Sequence, residues 1–237
     1  MPQPKTLAPN LWIIDQPAFS TPVAKNAGTR MTVMRLANGG LFLHSPISLD
    51  SETRQSLDNL GEVRAVVAPS RGHHLFVADY IKAWPRAKLY GPPGLVGDIR
   101  DFRARLGARR DLKLDATLGD EPQPDWAGEI EQHLFKGATS LNEVVFFHRA
   151  SRSAIFTDLV MNVPADFKGG GPYYGLVGAR GHIGPHRLLR MMIRDRKAAR
   201  ESVAKILEWD FDRVIVTHGD VVESGGRAKV AQAFAFL

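Results

Sequence analysis

The sequence predicts an α/β protein, and three patterns predict it: an opening pair of antiparallel strands, two strand-helix units in succession, and a later return to strand character as a meander. The length of 237 residues suits one large domain, residues 1–237, with no Pro/Gly/Ser-rich linker to divide it. Hydrophobic residues make up 44% and charged residues 24%, enough to build a sizeable core and to exclude a disordered chain.

Leu11-Trp-Ile-Ile14 reads as a short apolar strand and Met31 to Leu36 as a second. Asn38-Gly-Gly40 then supplies a turn before Leu41-Phe-Leu-His44, which makes a β-hairpin. Ser48 to Leu60 has helical spacing at Leu49, Thr53, Leu57 and Leu60, with Asp50 and Glu52 near its start and Gly61 at its end. Glu62 to Val67 follows as a buried strand. Leu75, Ala78, Tyr80, Ile81 and Trp84 form the packed side of a helix stopped at Pro85. Lys88-Leu-Tyr90 is a strand, Gly91-Pro-Pro-Gly94 a rigid turn, and the stretch through Arg110 is partly helical with Ile99, Phe102 and Leu106 inward.

Asp115 to Glu129 is polar and acidic and reads as a loop shielding one edge of the core. Glu129 to Phe135, Glu143 to His148 and Ala154 to Thr157 are the three meander strands. In the second, Phe146 and Phe147 face opposite layers, as adjacent strand residues must. Phe167 to Gly181 is rich in glycine. It lacks a phosphate-loop pattern and reads as a surface excursion or cleft wall, with Tyr173 and Tyr174 as wall residues. His186 to Arg194 and Arg196 to Leu207 are helical, broken near Asp195. Phe211 to Val216 is a strand, Thr217-His-Gly-Asp220 a turn, and Val221 to Phe236 a terminal helix interrupted at Gly225 and Gly226.

Without cysteine the chain has no disulfide, zinc-thiolate or iron-sulfur chemistry. No segment has the apolar length of a signal peptide or a membrane span, so a cytoplasmic protein with no membrane partner is expected. The formal charge of +6 favours anionic partners only modestly, because the arginines, including Arg103 to Arg110 and Arg187 to Arg200, accompany no nucleic-acid recognition motif. A small molecule is the expected partner, and homo-oligomerisation is left open.

Chemistry-bearing residues recur in one setting, the exit from an apolar strand. His73 and His74 follow Val67, Asp158 follows Ile155-Phe-Thr157, and His218 follows Val214-Ile-Val216. Imidazoles and a carboxylate brought together at strand ends are competent ligands for zinc, iron or manganese. The same residues also have structural uses, since an aspartate after a strand caps turns and a histidine bonds to backbone. His44 and His148 are secondary candidates around such a site.

Val66-Val-Ala-Pro-Ser-Arg-Gly-His-His-Leu-Phe76, Ile155-Phe-Thr-Asp-Leu159 and Val216-Thr-His-Gly-Asp220, in that order, resemble the first histidine motif, the bridging-aspartate motif and the last histidine motif of the metallo-β-lactamase-fold hydrolases. With Leu41-Phe-Leu-His-Ser-Pro46, His73-His-Leu-Phe76 and Lys88-Leu-Tyr-Gly-Pro-Pro-Gly94, nearly the whole chain is similar to the DUF4336 branch of that superfamily.

The resemblance implies an αββα sandwich of two mixed sheets with outer helices and the site at one edge. It aligns Pro69 and Arg71 with the first two histidines of the His-x-His-x-Asp-His motif, His73 with its aspartate and His74 with its last histidine. A further expected histidine falls on Ala138. One metal subsite has therefore lost its three histidines, while His73, His74, Asp158 and His218 remain for the other. The implied function is metal-dependent hydrolysis of a small ester, thioester, lactam or phosphoester with one divalent ion, zinc first and iron or manganese as alternatives. In it Asp158 acts as ligand or proton acceptor and Arg71 stabilises negative charge. The alternative is a catalytically inactive scaffold or small-ligand-binding protein whose polar edge holds no metal.

Overall fold

The computed structural model describes residues 3–96 and 112–237. The helical stretch expected after Gly94, with Ile99, Phe102 and Leu106, and the arginines from Arg103 to Arg110 lie outside the described residues.

The first sheet is assembled from β1 (Lys5–Ala8), β2 (Leu11–Gln16), β3 (Thr29–Arg35), β4 (Gly40–His44), β5 (Glu62–Val67), β6 (Lys88–Gly91) and β7 (Ala116–Thr117), in that spatial order. Its first four strands are antiparallel, and from β4 onward the pairing is parallel. The switch follows the connections, because the Asn38-Gly39 turn permits a hairpin whereas parallel neighbours need a helical crossover. Those crossovers are α1 (Ser51–Leu60) and α2 (Val77–Ala83). Asp50 caps α1 by accepting from the Thr53 N–H at 2.7 Å, and Gly61 closes it by donating to the Leu57 carbonyl at 3.0 Å.

The chain then gives β8 (Ile130–Leu134), β9 (Val144–His148) and β10 (Ser153–Phe156), the small hairpin β11 (Met161–Val163) and β12 (His182–Gly184), and finally β13 (Arg213–Val216). The second sheet has the order β13-β10-β9-β8, with β10 and β13 parallel and the remainder antiparallel. The short helix α3 (Tyr173–Leu176) lies within the glycine-rich stretch, and α4 (Arg187–Met192), α5 (Arg196–Leu207) and α6 (Gly226–Ala233) complete the described helices.

Strand alternation sorts the apolar residues into three layers. Phe42, Val67 and Tyr90 of the first sheet meet Ile130, Phe146, Ile155 and Ile215 of the second, with the Trp126 ring edge-on to Phe42 at 4.8 Å. Leu41, Leu43 and Val66 point the other way, onto Leu57 of α1 and Tyr80 of α2. Val145, Phe147, Ala154 and Phe156 pack beneath Leu189, Val203, Ile206 and Val230 of the helices on the second sheet. Phe146 and Phe147 do divide between layers. The protein is thus an αββα sandwich of two mixed sheets.

Some elements differ from the sequence reading. The expected terminal helix starts only at Gly226, because Val222 bridges to Val214 and Gly225 turns the chain at φ 67°. The loop from Asp115 to Glu129 contains β7 and inserts Trp126 into the layer between the sheets. The stretch from Phe167 to Gly181 is not a simple excursion, since Phe167, Tyr174 and Ala179 pack with Ala24, Ala27 and Met161.

Candidate metal centre

Three turns at one edge of the sandwich carry the site, each following a buried strand. After β5, the His73 N–H donates to the Ser70 carbonyl at 3.2 Å and the Gly72 N–H to Ser70 Oγ at 3.2 Å, giving a compact loop. A Cβ on Gly72 would lie 3.0 Å from Asp158 Oδ2, so a residue without a side chain allows the two loops to meet. His73 Nδ1 lies 2.9 Å from Ser45 Oγ, which fixes the ring and turns its Nε2 toward Asp158.

The turn after β10 is organised from beneath by Glu143, which is fully buried. Its carboxylate accepts the consecutive backbone N–H groups of Thr157 at 2.7 Å, Asp158 at 2.9 Å and Leu159 at 2.8 Å. Burial raises the Glu143 pKa to about 7, against the lowering influence of the Thr157 hydrogen bond.

The turn after β13 is held by Arg30, whose Nη1 donates to the carbonyls of Val216 at 2.7 Å and Gly219 at 2.9 Å while its Nε bonds Asp15 at 2.6 Å. Gly219 has φ +103°, and a Cβ there would sit 2.0 Å from the Asn162 carbonyl oxygen. His218 Nδ1 lies 2.9 Å from the Gly28 carbonyl, which can only accept, so the neutral ring carries its proton on Nδ1. Tyr174 lies beside that nitrogen at 3.3 Å and donates to the Ala27 carbonyl at 3.0 Å.

The three side chains converge, with ligand-competent atoms of His73, Asp158 and His218 all within 4.8 Å of one another. His73 Nε2 is 3.5 Å from Asp158 Oδ2 and His218 Nε2 is 3.7 Å from Asp158 Oδ1. Burial alone would lower His73, but the Asp158 carboxylate overrides it and holds the imidazole above its ordinary pKa. Burial and then the His73 charge lower His218 to about 4. For Asp158 burial pushes upward, yet the His73 charge and hydrogen bond, with His218 and His186, hold it well below the usual carboxylate range. A neutral His218 therefore aims a lone pair at an ionised carboxylate. Two acceptors facing one another suit a shared cation, and the outer partners Ser45 and Gly28 orient both imidazoles as metal ligands are usually oriented. The residues fit a divalent metal.

His74, expected as a fourth ligand, is not in this group. Its Nδ1 is 3.1 Å from the Arg71 carbonyl, and its buried Nε2 has no hydrogen-bond partner among the described residues. Adjacent residues of a tight turn diverge, and here His73 takes the inward position. Arg71 Nη1 donates to the Thr139 carbonyl at 3.3 Å, next to Ala138. His44 is buried at the end of β4 with neither ring nitrogen hydrogen-bonded among the described residues, and burial, then His73, lowers it to about 3. His148 lies at the far end of β9, opposite Ser153, bonded to Ser151 at 2.7 Å. Tyr174 is buried behind His218 and is no exposed cleft wall. Glu143 and Arg30 were not singled out by sequence reasoning. A charged residue bordering or inside an apolar strand was the one available signal.

A family model described as "Domain of unknown function (DUF4336)" matches residues 9–169. A search of curated proteins finds no match. Among solved structures the chain is similar to the DIM-1 metallo-β-lactamase, at TM-score 0.63 and 13% identity, covering 99% of this chain and 94% of that one. It is also similar to a metallo-β-lactamase from Hirschia baltica, at TM-score 0.62 and 12% identity over 99% and 96% of the two chains. FIM-1 from Pseudomonas aeruginosa, solved in a mono-zinc form, aligns at TM-score 0.59 and 10% identity over 98% and 91%. Identities this low speak for the fold alone. With the family model spanning more than half of its residues, the chain belongs to the DUF4336 family, built on the metallo-β-lactamase fold.

Proposed function

We propose that this protein is a hydrolase using one divalent metal ion held by His73, Asp158 and His218, acting on a small ester, thioester, lactam or phosphoester. The observation that carries this reading is the convergence of two outward-braced imidazoles on one ionised carboxylate at the strand-exit edge. Nitrogen and oxygen donors without a thiolate suit zinc, iron or manganese. Bound there, the ion would supply Lewis acidity, lowering the pKa of water and polarising the scissile group. Asp158 is the shared anionic ligand and, while so engaged, is not also the proton acceptor. Arg71, whose Nη1 donates to the Thr139 carbonyl at 3.3 Å, orients an anionic substrate group and stabilises developing negative charge. The proposal takes the chain as one domain with a small molecule as its partner. Among the described residues no helix is long and apolar enough to cross a membrane.

The test is metal analysis of protein purified without a histidine tag, paired with hydrolysis assays on the four substrate classes. Metal bound by the wild type and absent from Asp158→Ala, together with hydrolysis that follows metal content, is the expected result. A second reading, a metal-free polar network, is favoured by the 3.5 Å pairing of Asp158 with a His73 that tends to be charged. Reproducibly metal-free protein with that pairing intact would select it.

A further inference from the structure

The segment Leu141–Val144 touches both ligand loops of the first two motifs. The Arg71 N–H donates to the Leu141 carbonyl at 3.0 Å and the Val144 N–H to the Pro69 carbonyl at 2.8 Å, so the segment is laced to the loop that presents His73. Asn142 adopts φ 44° and donates from Nδ2 to the Pro93 carbonyl at 2.9 Å. The next residue, Glu143, directs its carboxylate to the three consecutive amides of the Asp158 turn.

A buried carboxylate is an expensive way to secure a loop, and an apolar side chain often serves stability as well. What the carboxylate adds is direction. Three hydrogen bonds accepted by one carboxyl group fix the peptide planes on both sides of Asp158, and with them the origin of its side chain. The segment's two backbone bonds to Pro69 and Arg71 tie that origin to the His73 loop.

We infer that Glu143 is a positioning residue: it holds Asp158 against the imidazoles of His73 and His218, and so, on the metal reading above, sets the affinity of the centre. It touches no substrate and acts only through the Asp158 turn.

The test uses the full chain, metal-free, as wild type, Glu143→Gln and Glu143→Asp, with zinc(II) titrated by calorimetry and backbone amide exchange followed by NMR. Glu143→Gln is expected to bind zinc 10- to 100-fold more weakly, the range for residues that orient metal ligands. The amides of Thr157, Asp158 and Leu159 exchange faster in that variant while those of β5 and α1 keep wild-type protection. Glu143→Asp, which retains the carboxyl group, recovers part of both. Wild-type protection of the three amides in Glu143→Gln overturns the inference whether or not zinc binds, and so does wild-type zinc affinity in that variant. A wild type that binds no zinc sinks the metal reading instead, and the local exchange then decides whether Glu143 positions Asp158. Should Glu143→Gln not fold, the same comparison is made with Glu143→Asp, for which unchanged exchange and affinity are the overturning result.

Discussion

His218 illustrates how a single side chain is made competent to act as a ligand. The Gly28 carbonyl fixes its proton on Nδ1, burial keeps it from charging, and its Nε2 is left facing a carboxylate. His44 is buried next to His73 without such partners. For an imidazole whose folded-state pKa is lowered, the unfolded chain binds more protons between the two values. The stability it contributes is complete above the ordinary value of 6.5 and is lost as pH falls, through about 4 for His218 and about 3 for His44. The metal-free protein is therefore expected to lose stability progressively below pH ~6.5. At 1.36 kcal/mol per pKa unit, His44 alone accounts for up to about 5 kcal/mol of that loss. His44→Leu should flatten the acid limb of a denaturation series, and a curve superimposable on the wild type would refute that assignment. Arg71→Ala is expected to keep its metal while kcat falls on the order of 100-fold, the usual effect of removing a group that stabilises transition-state charge. An unchanged kcat would remove Arg71 from the chemistry.

At the level of elements, the turns that carry His73, Asp158 and His218 depend on residues outside the cluster. Gly219 is held at a positive φ with the Asn162 carbonyl where a side chain would begin. Gly219→Ala should cost on the order of 3 kcal/mol and weaken metal binding together with it, through strain and overlap in the His218 turn. Equal stability in urea titrations of the two proteins would contradict this. Much of this level was legible in the sequence. Asp50 and Gly61 marked the ends of α1, Asp195 the break before α5, and the apolar runs ending at Val67, Thr157 and Val216 located the turns that carry His73, Asp158 and His218. What escaped has a physical cause. β1, β7, β11 and β12 are two to four residues long, too short for alternation to register, and they exist through pairing with partners elsewhere. The adjacent histidines could not be told apart by type, since only the three-dimensional turn decides that His73 faces Asp158 while His74 bonds to Arg71. Glu143 looked like an ordinary polar strand boundary because its three partners lie 14 to 16 residues away.

For the molecule as a whole, the sandwich brings turns separated by 85 residues and then 60 residues to one edge, as the numbers 73, 158 and 218 state. None of those turns contains the site alone, so an ion held by all three would link metal binding to folding. At a free metal concentration of 100 times Kd, binding to the folded state adds about 2.7 kcal/mol. For a chain of this size that corresponds to a rise in Tm of about 5–10 °C. The rise should disappear in His218→Ala. The measurement that bears most directly on the central claim is metal content after equilibrium dialysis against a divalent ion, by mass spectrometry, for wild type, Asp158→Ala and His218→Ala. About one equivalent in the wild type and none in either folded variant is the predicted result. A metal-free wild type, or variants that retain its full content, would contradict a centre built from His73, Asp158 and His218.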